Sequence, residues 1–183
     1  MSFEQTRLDR SLSRFELILA VAVIGILVTV FINRVLFMTA VAEARSLDLA
    51  VNDVRKGIML FVAVQLIEGR YENISAAAVS NPVDKIIEPP VHYAGEFDVV
   101  SAKSVGFGNW AYEKSSGRLV YYVLNRDYLK LGDLNENEMG RLILDLVLHF
   151  TDSNGNGRYD EGIDRPEGLG LQILEQPNWR FKM

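Results

Sequence analysis

The apolar residues change their pattern twice along this chain. Residues 17–32 contain no charge, Asn33 and Arg34 interrupt, and residues 35–38 are apolar again. Together this is roughly twenty residues, the length that spans the hydrocarbon core of a bilayer. Further on, Leu47, Val51, Val54, Ile58, Phe61 and Val62 recur at spacings of three and four, with Glu43, Arg45, Asp48, Asp53, Arg55 and Lys56 mostly between them. That is one apolar stripe on a helix. No proline occurs before Pro82, so the pattern predicts a single helix over about residues 14–66. At 1.5 Å per residue it would be on the order of 80 Å long, with its first half in lipid and its second half laid against a globular head. Glu68-Gly69-Arg70 ends it.

Residues 70–95, punctuated by Pro82, Pro89 and Pro90, read as a connecting loop with room for a short helix at residues 75–79. The period then falls to two. Trp110, Tyr112 and Lys114 alternate with Ala111 and Glu113, Ser115-Ser116-Gly117 is a turn, and residues 118–124 form a second strand, which predicts a hairpin. Residues 141–150 predict another strand, with Leu142, Leu144, Leu146, Leu148 and Phe150 on one face and Ile143, Asp145, Val147 and His149 on the other. Residues 169–174 predict a last strand, and residues 179–182 an edge. The fold class is α+β: a long N-terminal transmembrane helix continuing into a small antiparallel sheet.

Composition narrows the function. The chain has 183 residues, room for one domain and an anchor, and 49% of them are apolar, enough to bury a core. With a net charge of −5, nucleic acid is a poor partner. Without cysteine there is no disulfide, zinc-thiolate site or cysteine nucleophile. Arg7, Arg10 and Arg14 precede the apolar run, so the N-terminus is expected in the cytoplasm and the head outside, with Arg34 weakening that asymmetry. A secretory signal cleaved after Ala42 is the rival, since Ala40-Val41-Ala42 is a small-x-small triplet. The length of the run, the position of Arg34 and the helical pattern continuing through the triplet argue against it.

Glu16 needs a separate account, because a carboxylate opening a membrane span is costly. It either stays wet in the headgroup layer near Arg14 or it has a task. Phe15-Glu16, followed by a run ending Ile24-Gly25-Ile26-Leu27, resembles the N-terminal helix of type IV pilins and type II secretion pseudopilins. In that family a glutamate lies nine residues before the glycine of such a stretch, as Glu16 lies before Gly25. The resemblance covers about the first fifty-five residues. It implies a leader over residues 1–11, cleavage between Ser11 and Leu12 by a prepilin peptidase, and N-methylation of Leu12. A transmembrane half over residues 12–38 and a periplasmic head over residues 39–183 would follow. Glu16 would pair with the cationic N-terminus of a neighbouring subunit and set its axial register. The implied partners are other pilins or pseudopilins, the inner-membrane assembly platform and membrane lipid. Ser11 stands where the family has glycine, Leu12 where it has Phe or Met, Arg14 where the family is usually apolar, and Asn33 where many pilins have a helix-bending proline. These departures point to an accessory subunit, and the overall resemblance leans to accessory pilins of the mannose-sensitive haemagglutinin (MSHA) pilus. The alternative is a single-pass anchored, calcium-dependent periplasmic binding domain outside any filament.

The second signal is acidic. Asp152, Asn154 and Asn156 alternate and Gly157 follows, which is the first half of a D-x-[DN]-x-[DN]-G calcium loop. Asp160 falls at the ninth position, but Ile163 stands where a bidentate acid belongs, so Asp164 or Glu161 would substitute. The candidate ligand set is Asp152, Asn154, Asn156, Arg158, Asp160 and Asp164, with Ca²⁺ as the expected ion. Some pseudopilin heads use calcium where pilins use a disulfide, which suits a cysteine-free chain. The competing reading is an Asn-Gly turn that needs no metal.

Other signals lead nowhere. Gly106-Phe107-Gly108-Asn109-Trp110-Ala111 matches a loose dinucleotide fingerprint, but a β-alternating segment follows it where a helix is required. His92 and His149 have no metal-ligand spacing. Trp110, Tyr112, Tyr121, Tyr122 and Trp179 are expected to pack the sheet, and no enzymatic motif occurs, so no catalysis is expected.

Overall fold

The computed structural model describes residues 14–130 and 140–181. The chain divides into two compact units, the first ending at Thr39 and the second beginning at Ala40. One helix, α1 (Arg14–Ile67), supplies all of the first unit's described structure and the opening segment of the second. In the first unit its apolar side chains are exposed all round from Phe15 to Leu36, and Phe37 is half-buried. It is long and apolar enough to cross a membrane, a test that a signal sequence also passes.

In the second unit α1 has a buried stripe: Ala40, Ala44, Leu47, Val51, Val54, Ile58, Val62 and Gln65. The spacing of three and four puts them on one face. The helix stops at a left-handed glycine, Gly69 at φ 70°. Arg70 N–H donates to the Gln65 carbonyl at 2.9 Å and Gly69 N–H to that of Leu66 at 3.3 Å, satisfying carbonyls that the last turn leaves open.

Among the described residues five strands follow: β1 (Tyr93–Phe97), β2 (Trp110–Glu113), β3 (Arg118–Tyr122), β4 (Arg141–Thr151) and β5 (Arg165–Glu175), in spatial order β1-β2-β3-β4-β5. The β2–β3 hairpin and the β4–β5 pair are antiparallel, as is β3 against β4. The sheet is nevertheless mixed, because β1 runs parallel to β2. That corrects the all-antiparallel expectation. A parallel neighbour needs a crossover, and residues 98–109 provide it with a short helix, α3 (Ala102–Val105), whose start is fixed by a Ser101/Ser104 capping box.

Residues 70–95 are also more ordered than expected. They hold α2 (Tyr71–Ala78), which starts and ends earlier than the 75–79 reading, a 3-10 turn at Pro82–Lys85, and the start of β1. Residues 179–181 do not make the expected edge strand. Trp179 forms a single bridge to Leu129, and Lys182 lies outside the described residues.

The core lies between the α1 stripe and one face of the sheet, where Trp110, Tyr112, Leu119, Tyr121, Leu142, Leu144 and Leu146 are buried. Trp110 and Tyr121 pack with ring centroids 5.1 Å apart. The other face has its own cluster, Val100, Val105, Ala111, Val120 and Tyr122, which includes the last residue of α3. Both faces of the β2–β3 hairpin are therefore covered. This is why β3 reads as an unbroken apolar run and not as strict alternation.

Candidate functional site

Glu16 sits in the first turn of α1 and is exposed. A carboxylate suits that place, because the helix dipole favours negative charge at the N-terminal end. Nine residues are two and a half turns, so Gly25 faces the opposite side of the helix from Glu16. Nothing lies within 4 Å of where a Gly25 Cβ would be. Spacing alone therefore joins these two residues into no single site; the side bearing Glu16 and the bare side bearing Gly25 are two surfaces. Ser11 and Leu12 lie outside the described residues.

The acidic loop, residues 152–164, connects β4 to β5. Its carboxylates are engaged by the loop's own N–H groups. Asp152 accepts from Gly155 N–H and Gly157 N–H, both at 2.7 Å, and these bonds, Gly157 first, hold its carboxyl below the ordinary carboxylate range. Gly155 and Gly157 have φ of 74° and 73°, which lets the chain curl around that carboxylate. Asp164 is buried and accepts from Ser153 N–H and Asp160 N–H, each at 2.8 Å, tying the ends of the loop together. The Asn154 and Asn156 amides both donate to one oxygen of Asp160, so these three side chains meet at one point.

Of the six candidate ligands, the side chains of Asn154, Asn156 and Asp160 meet directly, Asp152 and Asp164 bind backbone N–H groups of the same loop, and Arg158 could offer only its backbone oxygen. Among the described residues, no three His, Asp or Glu side chains are arranged to hold a metal. Calcium here would have to draw on amide and carbonyl oxygens as well as Asp152 and Asp160, and would replace the two amide donors on Asp160.

The strongest polar cluster was not legible as a site in the sequence. Glu43 accepts from Tyr121 Oη at 2.9 Å, Leu124 N–H at 2.6 Å, Asn125 N–H at 2.9 Å and Asn125 Nδ2 at 2.7 Å. One carboxylate therefore ties α1 to the end of β3. Burial first, and then the Glu43 charge, drive the Tyr121 hydroxyl far above its ordinary value. The sequence did carry a signal for it. Glu43 is three residues past Ala40 and four before Leu47, a stripe position, and a charge there needs a partner.

A groove of about 790 Å³ lies between α1 and residues 85–91, lined by Val54, Phe61, Ile86 and Trp110 among others. The strap crosses the helix at Gly57, where an added Cβ would clash with Ile86 Cγ2. Only glycine leaves room for the Ile86 side chain to seat against the helix here. Asp53 and Lys56, on the groove's lining, form an exposed pair at 3.4 Å. His92 and His149 are both exposed, and the strand aromatics Trp110, Tyr112, Tyr121 and Tyr122 are buried, as is Trp179 beyond the sheet.

No family model, curated protein or solved structure matches the chain.

Proposed function

We propose that this chain is a minor pilin or pseudopilin, a non-catalytic subunit that takes part in assembling a type IV pilus or a related secretion filament after its leader is removed. The observation that carries this reading is the organisation of α1. An apolar stretch opening on Glu16 continues, within the same helix, into a stripe that forms one wall of an α+β core. A removable signal would have no reason to share its helix with that core, so this favours a retained anchor. The partners would be other pilins, a prepilin peptidase, the inner-membrane assembly platform and lipid, with the N-terminus cytoplasmic and the head periplasmic or in an extracellular filament.

Glu16 is the residue on which assembly turns. Among packed apolar helices an unpaired carboxylate costs several kcal/mol, and the α-amino group of a neighbour's Leu12 would offset much of that. A subunit in the wrong axial register would leave both charges unpaired, so the pair specifies position more than it adds stability. Glu16→Leu should insert, fold and be processed normally, since it only makes the span more apolar, yet fail to co-purify with partner pilins. Normal co-assembly of Glu16→Leu would remove the basis of this mechanism.

A second reading keeps the anchor and drops the filament: a membrane-tethered domain whose calcium loop governs binding. The alternation of Asp152, Asn154 and Asn156 before Gly157 is what supports calcium under either reading.

A further inference from the structure

The uncharged run of α1 is bounded at both ends by groups foreign to hydrocarbon: Glu16 at one end, Asn33 and Arg34 at the other. From Glu16 to Arg34 the helix rises about 27 Å, close to the roughly 30 Å of a bilayer's hydrocarbon core. A guanidinium does not lose its proton in proteins, so Arg34 must reach water or an anion. Its Cζ lies 5.6 Å from the centroid of the Phe37 ring, and Phe37 belongs to the next turn, beyond the uncharged run. A cation–π contact of this kind holds the guanidinium beside the ring without using its N–H donors, and the N–H fork matches the oxygens of a phosphate. Long cationic side chains at the end of a span take such a position at the lipid interface.

We propose that Arg34, seated on Phe37, binds the phosphate of a lipid headgroup in the exported-side leaflet and fixes the hydrocarbon boundary at residues 33–34. Residues 35–38 then lie in the headgroup layer although they are apolar, and the boundary falls four residues before the one that hydropathy alone would draw at Met38. The inference rests on the spanning reading of α1.

The chain contains no cysteine, so single-cysteine variants of the full chain report their own position. Val30→Cys, Leu36→Cys and Ser116→Cys are treated in spheroplasts with a membrane-impermeant maleimide. Ser116→Cys and Leu36→Cys should label and Val30→Cys should not. Adding Arg34→Leu should cut the labelling of Leu36→Cys by about tenfold as the helix slides one turn into the bilayer, whereas Arg34→Lys should not. In reconstituted vesicles the protection pattern should hold in phosphatidylglycerol and shift in a phosphate-free galactolipid. Protection of Leu36→Cys without further change, indifference to Arg34→Leu, or identical patterns in both lipids would overturn the proposal. Failure of Ser116→Cys to label would instead remove the spanning reading itself.

Discussion

Glu43 and Asn125 are joined twice. One carboxylate oxygen of Glu43 accepts from both the backbone N–H and the side-chain amide of Asn125, at 2.9 and 2.7 Å. The other accepts from Tyr121 Oη and Leu124 N–H. Two residues about eighty positions apart in sequence thereby fix where the sheet sits on its helix. Removing the carboxylate strands four donors at a partly buried place, and hydrogen bonds to a charged acceptor are worth more than neutral ones. Glu43→Ala should cost about 2–3 kcal/mol, or about 5–10 °C in melting temperature for a unit of this size. Thermal unfolding of the detergent-solubilised chain, followed by tryptophan fluorescence, measures it. A loss below about 0.5 kcal/mol would mean that water replaces the carboxylate without penalty.

The same cluster predicts alkaline sensitivity. Tyr121 is raised by burial and by Glu43, and Tyr93, Tyr112 and Tyr122 are raised chiefly by burial. A tyrosine with a raised folded pKa holds its proton more tightly in the folded state. Its contribution to stability is complete below the unfolded value of about 10 and is lost as pH rises from there toward the folded value. Denaturant titrations should give a flat stability up to about pH 10 and a fall above it. Tyr121→Phe should make that fall shallower, and an unchanged slope would show that Tyr121 does not titrate with unfolding.

How much of this could be read from the chain depends on the range of each interaction. The α1 stripe, the β2–β3 hairpin and β4 are written in local periodicity, and the structure places them within a residue or two of the expected bounds. β1 was missed because Tyr93-Ala-Gly-Glu-Phe97 is short, contains glycine and is only half-buried at alternate positions, so it lacks the apolar alternation that marks a strand. Its parallel pairing follows from where the α3 crossover delivers the chain, which no local pattern encodes. The Asp152 to Asp164 loop was legible because its ligand-type residues are contiguous. The Glu43 cluster was not, because its partners arrive from a strand end far away in sequence.

The loop supplies a third test. An exported calcium site of this half-matched kind is expected to bind with a Kd on the order of 10⁻⁴–10⁻³ M. At ten times that concentration linkage adds about 1.4 kcal/mol of stability. The solubilised chain should therefore melt higher in calcium than in chelator, with little response to magnesium, which holds its water shell and demands a stricter geometry. Asp152→Ala should abolish the difference. A wild-type melting curve that calcium leaves unmoved at 10 mM, above the expected range of Kd, would show that the loop is a self-sufficient turn closed by Asp152 and Asp164.

The central claim is that this chain is processed and assembled as a pilin-class subunit, and the mature N-terminus tests it most directly. The intact mass of protein extracted from the membrane of its native host should correspond to a chain beginning at methylated Leu12, with Ser11→Gly cleaved at least as completely. A mass corresponding to a chain that keeps residues 1–11, or to one that begins at Glu43, would contradict the account.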